Sequence, residues 1–184
     1  MVVLYVFKRY LFHFARRPWT ANIITTGITF VIGDFVSQKC IEKKPYNFKR
    51  AAKLFGIGTL VVAPMVFCWF KVLDKVVKAT TLFASLKKVL IDQLVFSPFI
   101  ISIMFTITNF SDGKNSDQLV ERFRRDYYST LMSSYQFWPF VQIFNFTLVP
   151  TVYRILVVRF ASLFWNTYIS FVLFSERKIE DFHL

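Results

Sequence analysis

Glycine, cysteine, histidine and acidic residues are all scarce in this chain. Five glycines in 184 residues leave no glycine-rich loop beside a Lys-Ser/Thr pair, so a phosphate-cradling loop is excluded. No Gly-x-Ser-x-Gly elbow occurs, so the usual serine hydrolase arrangement is absent as well. Cys40 and Cys68 form no spaced pattern, and His13 and His183 lie near opposite ends. Neither a disulfide framework nor a zinc site is supported, and nothing calls for a metal or cofactor. Charged residues make up 18%, below the quarter found in ordinary soluble domains.

What remains is apolar: 55% of positions are hydrophobic and 20% are aromatic. Five windows are nearly free of charge: Pro18–Gly33, Leu54–Phe70, Gln93–Ser111, Tyr127–Tyr153 and Phe160–Ser175. A soluble helix would show an apolar stripe opposite a charged face, and these windows show none. About 20 apolar residues cross a hydrocarbon layer. The expected fold is therefore all-α, a polytopic membrane bundle of four to five kinked spans in one domain. The spans are placed at about 19–38, 54–70, 91–110, 131–149 and 155–174, with four and five either separate or one kinked helix around Pro150. Residues 112–113, Asp-Gly, break the chain before an exposed charged approach at Glu121–Asp126.

The net charge of +12 has two explanations. Nucleic-acid binders gather cations on one face, whereas these cations flank the apolar windows, as at Lys49–Lys53, Lys71–Lys78 and Arg122–Arg125. That placement suits a lipid bilayer with anionic headgroups and argues against direct nucleic-acid binding. Eleven Lys and Arg fall on one side of a five-span arrangement and twelve on the other, so positive charge does not set orientation. Residues 1–17 hold Lys8, Arg9, Arg16 and Arg17 and no acid. They read as a basic amphipathic start, either a mitochondrial targeting segment or an interfacial helix.

The spans carry unusual polar residues. Asp34, Asp92, Gln93, Gln142, Asn145, Arg154 and Asn166 all fall within or beside them. An unsatisfied polar group in lipid costs several kcal/mol, so these side chains should face a protein interior or a watery path. The expectation is that either Asp34 or Asp92 pairs with Arg154 beside an aqueous route, or the three lie near the interfaces where long side chains reach water, with the buried placement favoured for Asp34. Trp138, Gln142, Asn145 and Val149 share one helix face. Pro64, Pro98, Pro139 and Pro150 each remove a backbone donor and should kink or end helices. Gly56 and Gly58 invite close approach of a second helix, and Trp19, Trp69, Trp138 and Trp165 suit an aromatic belt at the interfaces. Asp34 and Asp92 are the only pair that could form an intramembrane aspartyl site, and the surrounding motif is missing. No enzyme activity is expected.

One ordered set of residues resembles a known family. It runs Pro18-Trp19, Gly33-Asp34 with Ser37-Gln38, Pro64, Trp69 to Asp74, and Asp92-Gln93 with Pro98. It continues through Asp126-Tyr127, Trp138-Pro139 with Gln142, Asn145-Phe146, Val149-Pro150, Tyr153-Arg154 and Trp165-Asn166 to Ser170. This resembles the Mpv-seventeen and peroxisomal membrane protein family of small multi-pass organelle proteins. The resemblance implies a mitochondrial inner-membrane protein, or alternatively a peroxisomal one. It also implies a weakly selective channel for small solutes, linked to membrane potential, reactive-oxygen handling and nucleotide-pool and mitochondrial DNA maintenance. A homo-oligomer is compatible with it, and the rival reading is a non-transporting scaffold or assembly factor. The Trp69–Asp74 run looks more like the mitochondrial branch. Val120 stands where the family often has Trp, and Phe70 where it usually has Tyr. On the channel reading, Arg154 would draw anionic metabolites.

Overall fold

The computed structural model describes residues 18–78, 81–150 and 153–174. The basic start at 1–17 lies outside the described residues. Five long helices make up the described chain. Helix α1 covers 18–41, α2 covers Phe48–Val76, α3 covers 82–111, α4 covers 116–148 and α5 covers Arg154–Phe174. The fold is an all-α membrane helix bundle. Phe48–Val76, Phe83–Ser111 and Leu156–Phe174 are each long and apolar enough to cross a membrane.

The helices run up and down in a ring. Asp34 of α1 meets Arg50 at the start of α2, and Asn22 meets Ala63 further along, so α1 and α2 are antiparallel. Trp69 of α2 reaches Asp92 of α3, Ser97 of α3 reaches Ser134 of α4, and Ser133 of α4 reaches Tyr168 of α5. Asn166 of α5 then bonds Thr29 of α1 and closes the ring. We call the end holding the 41–48 and 111–116 turns the upper face, and the opposite end the lower face.

Polarity is inverted relative to a soluble domain. Asp34, Ser37, Thr108, Asn109, Thr130 and Ser170 are 0% exposed, while Leu60 and Phe160 are 79% and 63% exposed. Only an apolar surrounding makes that distribution favourable. Hydroxyls within the helices satisfy themselves: Thr26, Thr59, Ser102, Thr106, Ser162 and Thr167 each donate to the carbonyl four residues back. The apolar core lies in the upper half, where Phe30, Leu54, Ile57, Ile101, Phe105, Ile169 and Leu173 pack together.

Close approach of the helices depends on Gly27, Gly33 and Gly58. A Cβ on Gly33 would stand 2.8 Å from the Asn166 carbonyl carbon, so α5 backbone lies directly against α1 there. Gly27 and Gly58 let α1 and α2 meet, with Phe30 filling the space beside Gly58. Gly56 has nothing within 4 Å and serves no contact.

The helices are longer than expected. Helix α2 extends the 54–70 span to 29 residues, about 44 Å against a hydrocarbon core of about 30 Å. Its excess ends carry Lys49, Arg50 and Lys53 above and Lys71, Asp74 and Lys75 below. Pro64 and Pro98 do not break their helices. A wide π turn precedes each, Gly58–Val62 and Asp92–Phe96, and makes room for the ring before the α geometry resumes. Pro139 lies inside α4, which continues through it, whereas Pro150 follows the end of α4 at Leu148. Spans four and five are thus separate helices.

The upper turn between α3 and α4 needs Gly113, whose φ of +72° lies in the left-handed region. Asn115 then starts α4 through a capping box with Gln118. The Glu121–Asp126 segment, expected to be exposed, instead buries Arg122 and Asp126 at 5% and 4% exposure. Arg122 turns under the bundle edge with its guanidinium over the Phe105 ring at 5.5 Å. Burial lowers its pKa from the ordinary value, against the pull of Asp112 and Asp126.

Candidate functional site

Two polar clusters stand at opposite ends of the ring. The upper one is built from the last turns of α1, the first turn of α2 and the last turns of α5. Asp34 Oδ1 lies 2.7 Å from Arg50 Nε, and Ser170 Oγ donates to the same oxygen at 2.6 Å. Gln38 Nε2 donates to Asp34 Oδ2 at 2.7 Å, and its own Oε1 accepts the Asn47 backbone N–H at 2.6 Å. Arg50 grips Glu42 with both terminal nitrogens, at 2.9 and 2.7 Å, and its Nη2 donates to Ser170 Oγ at 2.8 Å. The guanidinium stacks over Phe174 at 4.3 Å. Ser37 Oγ donates to Glu42 at 2.9 Å.

This geometry follows from local structure. The π turn Ser37–Ile41 widens the end of α1, so Asp34, Ser37 and Gln38 all aim inward. Asn47 caps α2 by accepting the Arg50 N–H, which fixes Arg50 three residues into the bundle. Burial pushes the Glu42 carboxyl up, but hydrogen bonds from Arg50 and Ser37 and the charges of Arg50 and Lys44 outweigh it. The net result holds that carboxyl below its ordinary value.

The lower cluster surrounds a cavity of about 90 Å³ between α2, α3 and α4. Phe70, Lys88, Asp92, Gln93, Trp138 and Gln142 are among its lining residues. Asp92 sits in the π turn Asp92–Phe96, where its Oδ1 accepts Trp69 Nε1–H at 2.7 Å and its Oδ2 accepts Gln93 Nε2–H at 3.1 Å. Gln93 Oε1 in turn accepts from Ser134 at 3.3 Å, and Ser134 and Ser97 share a 2.6 Å hydrogen bond. Trp69 stacks flat on Phe96 at 5.2 Å. At the rim, Lys88 Nζ donates to Asp74 at 2.6 Å.

The structure thus brings Asp92, Gln93 and Gln142 to one cavity and places Asp34 elsewhere. Asp34 and Asp92 share no partner, so they do not form a carboxylate pair. Arg154 pairs with neither. It donates to Val149 and Phe146 carbonyls at 3.1 and 3.0 Å, capping the end of α4 that Pro150 leaves without amide partners. The partner of Asp34 is Arg50, which a count of spans alone had placed in a loop. The signal for it was present: Asn47 three residues before Arg50 marks a helix start, so Arg50 belongs to a helix facing α1. Asn145 is buried at 2% exposure, and its Oδ1 has no hydrogen-bond partner among the described residues. Asn166 donates to Thr29 at 3.2 Å and binds α5 to α1.

The tryptophans differ among themselves: Trp19 is exposed, and the other three are partly buried. Trp19 meets Phe67 edge-on near the lower face. Trp69 is a donor inside the bundle, and Trp138 and Trp165 pack with Phe137 and Tyr168 partway along α4 and α5. Aromatic content here fills gaps between helices as much as it marks interfaces.

Sequence comparison finds relatives over most of the chain. The sequence profile of the Mpv17 / PMP22 family matches residues 108–170, which span α4 and most of α5. The mitochondrial inner membrane protein Mpv17 of Danio rerio is 40% identical over 159 residues, covering 85% of this chain and 90% of its own length. The human protein of the same name is 33% identical with the same coverage. Protein SYM1 of Candida albicans is 32% identical over 193 residues, covering 94% of this chain and 99% of its own. No solved structure matches the chain.

Proposed function

The chain belongs to the Mpv17 / PMP22 family of mitochondrial inner membrane proteins, and on that premise we propose that it is a weakly selective channel for small solutes. The observation that carries this reading is the lower cavity, where a carboxylate and two amides line a space inside an apolar ring. Amides that only join helices need no open space beside them, whereas Asp92, Gln93 and Gln142 face one. The Asp34–Arg50–Glu42 cluster and the apolar core beneath it close the upper half, so this conformation is the shut one. Opening requires those upper contacts to separate.

Exposed Lys39, Lys43, Lys44 and Lys49 at the upper face are placed to meet anionic headgroups of the bilayer. Support of membrane potential, reactive-oxygen handling and nucleotide-pool and mitochondrial DNA homeostasis follows from the family resemblance. Assembly of several copies belongs to the same proposal. Catalysis does not.

Purified protein in planar bilayers should give discrete conductance, and Asp92→Asn should change its ion preference. Silence from folded protein would end the channel reading. The rival is a non-transporting scaffold, favoured by the dense upper half, where ion pairs and hydrogen bonds together join three helices. It requires Gln142→Leu and Asn145→Leu to destabilise the bundle and leave permeability unchanged.

A further inference from the structure

We propose that the lower cavity is a binding site for a small organic ammonium, held by the Asp92 carboxylate against aromatic walls. The inference rests on the channel reading of the same cavity and names its solute class.

Charge decides the sign. Asp92 and Lys88 are the charged groups of the lining, and Lys88 is neutralised by Asp74 at 2.6 Å. The Asp92 carboxylate has only neutral donors, Trp69 and Gln93, and no ion-pair partner among the described residues. A half-buried carboxylate without a cation favours one. An ammonium group supplies that charge and up to three N–H donors, with the amide of Gln142 as a further acceptor on the lining. The rings of Phe70 and Trp138 on the lining offer π faces, which attract an organic cation, whereas the Phe146 ring already carries the Arg154 guanidinium at 5.3 Å. An anion would meet Asp92 directly. Arg154, the cation expected to draw anions, is already committed to the Val149 and Phe146 carbonyls.

Size narrows the class. A dry protein cavity of about 150 Å³ holds benzene, which has six heavy atoms. By the same proportion, 90 Å³ holds about three or four. Ethylammonium fits that limit, and tetrapropylammonium does not.

The full chain in phosphatidylcholine nanodiscs tests this by calorimetric titration with ethylammonium, acetate and tetrapropylammonium. Ethylammonium should saturate, and the other two should give no saturable signal. Asp92→Asn should weaken ethylammonium on the order of tenfold to a hundredfold, the range for losing one charge-assisted bond. If that variant does not fold, Ser85→Leu takes its place, because it fills the lining without touching the hydrogen bonds of Asp92. It should abolish saturation. Ethylammonium that never saturates, acetate that binds as well, or a folded Asp92→Asn or Ser85→Leu protein that binds unchanged would overturn the site. Conductance without saturable ammonium binding removes this inference and leaves the channel. Saturable binding without conductance removes the channel and keeps the site.

Discussion

Asp34 Oδ1 stands 2.7 Å from Arg50 Nε, with both side chains almost wholly withdrawn from solvent and Ser170 Oγ bonded to each. The pair joins α1, α2 and α5 at one point. A buried ion pair costs about as much to desolvate as it returns, so its value here is in fixing which helices meet. Removing one partner is a different matter, because the other is left buried and charged.

Arg50→Met should therefore destabilise the bundle by about 3–5 kcal/mol, since Asp34 and Glu42 both lose their cation. Thermal unfolding in detergent measures this. The Asp34→Asn/Arg50→Met double variant should recover part of the loss, and a double variant no better than the single one would show that the pair is not coupled.

The helix contacts make a second, sharper contrast between two glycines. Gly33→Ala puts a Cβ against the α5 backbone and should cost about 1–3 kcal/mol. Gly56→Ala meets open space and should gain about 0.5–1 kcal/mol from helix propensity. Unfolding midpoints of the two variants should move in opposite directions.

Acid should weaken the upper cluster in a stated direction. The folded Glu42 carboxyl titrates below its reference value of 4.5, so its contribution is complete above that pH. It is lost as pH falls through the lower, folded value. Stability should drop on acidification below about pH 4.5, and Glu42→Gln should lose part of that slope. An identical acid slope in the variant would show that Glu42 is not held as described.

Fold class and the inward turn of the polar residues were legible because uncharged windows of spanning length leave no other solution. The lower cavity was half legible: Gln142 shares a helix face with Trp138, and both line it together with Asp92 and Gln93. Pairing was not legible. Asp34 and Arg154 looked like natural partners only because both lie in apolar surroundings, and sequence gives no distance between helix ends. Helix lengths were underestimated for a related reason, since charges such as Arg50 and Asp74 were read as loop signals when they decorate helix ends beyond the hydrocarbon. The π turns before Pro64 and Pro98 left no mark in sequence. Widening a helix by one residue changes hydrogen bonding without changing composition.

The central claim is that α4 turns its amides inward and its apolar side chains toward lipid. A nitroxide scan of 140–148 in lipid bilayers tests it most directly, with oxygen as the probe of the acyl phase. Collision rates should peak at 140, 143–144 and 147–148, where Phe140, Ile143, Phe144 and Leu148 are exposed, and fall at Gln142 and Asn145. Peaks at Gln142 and Asn145, or a profile with no helical period, would contradict it.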